Sequence, residues 1–269
     1  MTMRIFRRFL ALALIGASAA TAAHEFWIWP EPFSQAAGEP VRLTLQVGEN
    51  FVGDQVVIPQ LGVFRRFAGE SATDQFAKTQ VKRSRGEVRL TLPAAGTHLL
   101  AFDSPPTLIT LAADKFHAYL HEEGLDAIVR QREVAGTAKT PGRERYRRCA
   151  KTLLRIGGVT DRTFATRTRQ RLEIIPLNDP LTAAANQRLE FALEFDGRPL
   201  AERLVKAWHK RDGQTLIVRA QSDRQGKLAF NLPYAGAWMI SVVHMIPAEE
   251  SADADWDSYW GNLTFTLGG

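Results

Sequence analysis

The chain has a single cysteine, Cys149, in 269 residues. One thiol cannot close an intramolecular disulfide, and it excludes any zinc or iron–sulfur site built from several cysteines. No apolar run reaches the ~20 residues that a membrane-spanning helix requires. No Gly-x-Ser-x-Gly elbow, Walker loop or Gly-x-Gly-x-x-Gly after a strand occurs, and no Ser-His-Asp order is evident. These absences remove the conventional serine hydrolases and nucleotide enzymes. Cys149 lies in a segment read as helix, with no positioned histidine, so it reads as a small buried side chain and not a nucleophile. Internal repeats and low-complexity stretches are also missing.

Positive charge is less abundant than it first looks. The net charge is +5, but Arg4, Arg7 and Arg8 stand in the first 23 residues with no acid among them. Without that segment the chain carries +2, too little for a protein that binds nucleic acid by displacing counterions. Arg and Lys cluster at 143–151, yet Glu144 interrupts them, and the stretch reads as one face of a helix. With 45% hydrophobic and 23% charged residues, the composition is that of a folded globular protein and not a disordered one.

The first 23 residues have the layout of a secretory signal peptide: arginines, a short apolar run at 9–15, then small residues. The run is too short to span a bilayer. The sequence therefore predicts an exported protein with no membrane span, periplasmic in a Gram-negative cell. Cleavage after Ala22 leaves Ala23 first. Cleavage after Ala23 leaves His24 first, and its amine and imidazole could then chelate a metal together.

Residues 40–47 alternate, with Val41, Leu43, Leu45 and Val47 on one face. Residues 86–92 repeat the pattern, and 97–102 are a further strand. Phe116, Tyr119 and Leu120 take helical spacing. A second helix is predicted from about Arg143, with Tyr146, Ala150, Leu153 and Leu154 on one side and Gly157-Gly158 at its end. Strands return from Arg171, with Asp196-Gly197 as a hairpin turn. The expectation is a mainly β fold of two immunoglobulin-like or transthyretin-like antiparallel sandwich units. They occupy residues 24–111 and 159–269, with a helical insertion at 112–158.

The remaining chemistry is histidine. Six are present, and imidazole is the commonest metal-ligand side chain. His117 and His121 stand at i and i+4, so both rings can face one way. His244 closes an apolar strand, on the face of Trp238, Ile240 and Val242 and opposite Met239, Ser241 and Val243. Asp253, Asp255 and Asp257 follow at alternate positions. An EF-hand would need Gly and an acid where Ser258 and Thr264 stand, so the segment offers a single carboxylate, such as Asp255. His98 and His209 read as exposed strand residues. Trp27, Trp29, Trp256 and Trp260 are candidates for stacking on a sugar or a partner, against core packing.

Several stretches together resemble a family. They are Ala23-His24-Glu25-Phe26-Trp27-Ile28, Gly48-Glu49-Asn50-Phe51, and Lys115-Phe116 to Leu120 with Glu122-Glu123-Gly124-Leu125-Asp126. Arg143-Glu144-Arg145-Tyr146, Cys149-Ala150-Lys151 and 172–180 extend the match. Ala235-Gly236-Ala237-Trp238, Val243-His244-Met245 and Ala254-Asp255-Trp256 to Phe265 close it. The chain is similar to the NikM-like domain-of-unknown-function family of exported bacterial proteins. The resemblance implies a periplasmic protein of nickel or cobalt uptake or delivery, with a membrane transporter as partner. His24 and His244 fall at family motif positions, whereas His117 and His121 depart from the pattern. Nickel or cobalt is the expected ion, with copper or zinc the other metals suited to such ligands. The candidate ligands are His24, His244, Asp255, His121 and His117. A metal-independent sandwich module that binds a glycan or protein is the second reading, and a copper oxidase with an N-terminal histidine brace is the third.

Overall fold

A computed structural model describes residues 24–56, 62–69, 71–74, 80–82, 86–249 and 252–268. The expected signal peptide lies outside the described residues. In chain order the first half runs β1 (Glu25–Glu31), β2 (Ser34–Gln35), β3 (Pro40–Glu49), β4 (Val52–Gln55) and β5 (Val63–Ala68). It continues with β6 (Ser71–Asp74), β7 (Gln80–Lys82), β8 (Glu87–Thr91), β9 (Gly96–Asp103) and β10 (Thr107–Leu111). Two helices follow, α1 (Ala113–Glu122) and α2 (Asp126–Val134). After them come β11 (Gly142–Ile156), β12 (Leu172–Pro176), β13 (Arg188–Phe195), β14 (Arg198–Pro199) and β15 (Leu204–Arg211). The last strands are β16 (Gln214–Gln221), β17 (Lys227–Asn231), β18 (Gly236–Pro247) and β19 (Trp256–Leu267).

These strands make three sheets, and the fold is mainly β and sandwich-like. A ten-stranded sheet has the order β16-β15-β18-β19-β11-β9-β5-β6, with β10 and β2 paired to β11. A five-stranded sheet (β1-β3-β8-β7, with β4 on β3) covers part of one face. A four-stranded sheet (β12-β13-β14, with β17 on β13) covers the other. The alternation in β3 does what it predicts: Val41, Leu43 and Leu45 are buried, and Val47 packs against them. Phe26, Ile28, Leu100, Leu154 and Ile156 complete that core layer. Leu153, Ile174, Phe191, Val205, Trp238, Ile240 and Val242 form the layer on the opposite side. Phe116, Tyr119 and Leu120 of α1 pack on Val243, Met245 and Trp260, as their helical spacing requires.

The expected second helix does not form. Residues 142–156 are instead the fifteen-residue strand β11, at the middle of the large sheet. It pairs parallel with β19 and antiparallel with β9 and β10. Leu153 enters one core layer and Leu154 the other, so both faces are buried and no alternation survives to mark a strand. An apolar run of that kind fits a helix equally well on periodicity. The charged half has its own explanation. Arg143 bonds Asp255, and Arg145 and Arg147 bond Asp257, across to β19 and its approach. The arginine cluster is thus an ion-pair ladder and not a solvated helix face.

The turn at Asp196-Gly197 is as expected: both residues have positive φ, at 50° and 72°, which suits a two-residue hairpin.

Candidate metal centre

Strand β1 begins the candidate site. Its antiparallel pairing with β3 sets Glu25 opposite Gly48, beside Glu49 at the end of β3 and Asn50 in the β3–β4 turn. Helix α1 approaches from the other side. Between them is a cavity of about 200 Å³, lined among others by Glu25, Glu49, Lys115, Tyr119, Glu122 and Glu123. Four carboxylates against one lysine make its lining strongly acidic. His24 stands beside it, half-buried, with Nε2 3.0 Å from Glu49 Oε1.

A buried polar network lies under this cavity. Ser241 Oγ donates to Glu25 Oε1 at 2.8 Å, and Trp208 Nε1 donates to Ser241 Oγ at 2.8 Å. Lys206 Nζ donates to Glu123 Oε1 at 2.7 Å. Arg148 Nη1 donates to the His24 carbonyl at 3.0 Å and packs over the Phe26 and Tyr146 rings. Burial raises the Glu25 carboxyl to about 7, with Glu123 adding repulsion and Lys206 and Arg148 opposing it. Burial also raises Glu123, against the pull of Lys206. A carboxyl that resists ionisation next to an acidic cavity is a group that an added cation would relieve.

The five predicted ligands do not come together. Ser241 bonds Glu25 of β1, whereas His244 sits on the opposite face of β18 with Phe195, ring centroids 4.4 Å apart. The predicted face assignment of β18 therefore holds, and it separates His24 from His244 by the thickness of the sheet. His244 is buried, and its Nδ1 has no hydrogen-bond partner. Burial, with the nearby Arg203, depresses its imidazole to about 4, while Asp196 opposes them. Neighbouring arginines disfavour a metal cation there. Asp255 is gripped by Arg143, through Oδ1 at 2.6 Å and Oδ2 at 3.1 Å, and that contact holds its carboxyl below the usual range. His117 and His121 do lie side by side on α1, both exposed. Among the described residues no three His, Cys, Asp or Glu side chains form a metal-holding group.

The expectation of exposure at two histidines changes. His98 and His209 are buried, and each bonds a backbone carbonyl, of Ala94 and Ala237 respectively. Trp27 and Trp260 are buried in packing, while Trp29 and Trp256 are half-buried. Cys149 is buried, its thiol pushed up to about 12 by burial and by Asp103, which leaves it inert at neutral pH.

A family model matches residues 21–246, and its description is "Domain of unknown function (DUF4198)". The chain belongs to the DUF4198 family. No functionally curated protein matches it. Among solved structures it is similar to murine CEACAM1b, at 8% identity over 91% of this chain and 98% of that one, with a TM-score of 0.21. A bacterial ice-binding adhesin gives 13% identity over 91% of this chain and 63% of its own, with a TM-score of 0.23. Salmonella alpha-2-macroglobulin gives 9% identity over 91% and 15%, with a TM-score of 0.23. Overlaps that weak say nothing about activity.

The stretches that carried the family resemblance supply most of the DUF4198 cavity lining: Glu25, Gly48 to Asn50, Lys115, Tyr119, Glu122 and Glu123. No local pattern marks their carboxylates, since each looks like an ordinary surface acid. Lys206 carried a visible signal, a lysine inside the apolar run Leu204-Val205-Lys206-Ala207-Trp208, and it is buried.

Proposed function

We propose that this DUF4198 protein is an exported, periplasmic transition-metal binder that serves uptake or delivery of nickel or cobalt. The observation that carries the reading is the His24 imidazole, 3.0 Å from the Glu49 carboxylate beside a cavity lined by four glutamates. Imidazole nitrogen and carboxylate oxygen suit nickel, cobalt, copper and zinc. Two side-chain donors are in place at His24 and Glu49. The α-amine of His24, which exists if cleavage falls after Ala23, is a third donor once the ring turns, because amine and imidazole of one residue chelate through Nδ1 and the contact to Glu49 is through Nε2. Glu49 and Glu122 supply the negative potential that attracts the cation, while Glu25 resists ionisation and Glu123 is paired with Lys206. His244 and Asp255 are outside this ligand set, since the first lies across the sheet and the second is held by Arg143. A membrane transporter is the partner that the family resemblance suggests.

The experiment is N-terminal sequencing of the exported protein, followed by calorimetric titration with Ni²⁺, Co²⁺, Cu²⁺ and Zn²⁺. His24→Ala and Glu49→Gln should each weaken binding at least about 10-fold, the loss of one ligand contact worth about 1.4 kcal/mol. Unchanged affinity for every metal in both variants would sink this reading.

A further inference from the structure

Helix α1 carries a feature that the cavity does not use. The exposed rings of His117 and His121 lie with centroids 4.6 Å apart. The chain turns at Gly124, where φ is +66°, and brings the first residue of α2 back to the end of α1. There Asp126 Oδ1 lies 2.5 Å from His121 Nδ1.

We propose that His117, His121 and Asp126 form a second, surface site for a divalent transition metal. His117 and His121 are its two protein ligands, and Asp126 is the residue that positions His121.

The i, i+4 spacing puts both imidazoles on one helical face. Two imidazoles that share one ion at right angles, with metal–nitrogen bonds of about 2.1 Å, have ring centroids about 4.5 Å apart. The observed separation matches that value, with the two rings 80° apart in plane. Asp126 supplies what an isolated pair lacks. A carboxylate on Nδ1 keeps the proton on that nitrogen and leaves the Nε2 lone pair free, the arrangement in which metal-binding histidines are commonly held. Water completes the coordination, so a third protein ligand is not required.

The ligand class follows from the donors. Two imidazoles on a solvent-facing helix favour Cu²⁺ over Ni²⁺, Zn²⁺ and Co²⁺ by the usual stability order. This site needs neither signal-peptide cleavage nor the cavity. It is thus independent of the proposed function at His24.

The test is calorimetric titration of the metal-free exported chain with Cu²⁺ at neutral pH, in the wild type, H24A, H117A, H121A and D126N. The expected result is one copper equivalent that survives in H24A and weakens at least about 10-fold in H117A and in H121A. D126N retains both imidazoles and is expected to weaken the same equivalent about 10- to 100-fold, with little change in thermal midpoint. A merely structural ion pair would shift the midpoint and leave copper affinity alone. Equal stoichiometry and affinity in the wild type, H117A and H121A overturns the proposal. Binding that is lost in H24A and intact in H117A also overturns it, while the His24 reading stands. Binding that is lost in H117A and intact in H24A supports it and counts against the His24 reading.

Discussion

Lys206 Nζ lies 2.7 Å from the carboxylate of Glu123, and both side chains are buried where Glu123 lines the acidic cavity. A buried pair gains little over an apolar substitute, but breaking it leaves one charge unpaired in a poorly solvated place. Lys206→Met should cost about 3–5 kcal/mol of stability. Adding Glu123→Gln to that variant should restore most of the loss. Urea unfolding of the two variants and the wild type measures both effects. A double variant no more stable than Lys206→Met would show that the lysine acts through packing on Trp208 and not through its charge.

Lys206 is legible in the sequence as a lysine inside an apolar run, and its partner Glu123 is not. Strand β3 was legible because one face is buried and the other is not, so Val41, Leu43 and Leu45 recur at every second place. Helix α1 was legible because Phe116, Tyr119 and Leu120 keep helical spacing. Strand β11 was not, since burial on both faces erased its alternation. Arg143, Arg145 and Arg147 do alternate, and Asp253, Asp255 and Asp257 alternate with the opposite sign. Arg143 meets Asp255 just before β19, and Arg145 and Arg147 meet Asp257 at its start, so the opposite charges mark adjoining segments, a signal legible only when the two rows are compared. The cavity had no local signal. Glu25, Glu49 and Glu123 come from three distant segments and meet only because β1, the β3–β4 turn and α1 converge.

Glu25 should make the protein less stable as pH rises. Its folded carboxyl titrates near 7 against an ordinary 4.5, so between those values the native state holds a proton that the unfolded chain has released. Stability is thus full below about pH 4.5 and falls through the window up to about 7. Above it, the ionised buried carboxylate costs about 3 kcal/mol. Glu25→Gln still accepts the Ser241 hydrogen bond and cannot ionise. It should be more stable than the wild type at pH 8 and close to it at pH 4.5. Urea unfolding at the two pH values decides the matter, and identical curves at pH 8 count against a neutral Glu25.

His244 acts in the opposite direction. Its ring titrates near 4 against an ordinary 6.5, through burial and the charge of Arg203. The unfolded chain takes up a proton as pH falls below about 6.5, and the native state does not until about 4. Its contribution is therefore fully present above pH 6.5 and is lost as pH falls toward 4, by about 3 kcal/mol in total. His244→Gln removes that dependence. The stability gap between the wild type and His244→Gln should narrow from pH 7.5 to pH 4.5, as denaturant midpoints will show. A gap that stays constant with pH would mean that the ring is protonated as readily in the folded chain as in the unfolded one.

Gly48 links the backbone to the proposed ligands. It stands opposite Glu25 in β1 and opposite Gly53 in β4. A Cβ at residue 48 would overlap the Val52 carbonyl and the Gly53 Cα, and both are backbone atoms that cannot rotate away. The β3–β4 hairpin must shift to admit it, and Glu49 is the next residue along. Gly48→Ala should cost about 1–3 kcal/mol of stability as an overpacking change. It should also weaken metal binding at least about 10-fold, because the His24–Glu49 contact moves with the hairpin. Gly38→Ala is the control. Nothing lies within 4 Å of its added Cβ and its φ is +84°, so it carries backbone strain without displacing the hairpin and should leave affinity unchanged. Lowered stability with unchanged affinity in Gly48→Ala would remove Glu49 from the ligand set and leave the amine and imidazole of His24 to hold the metal without it.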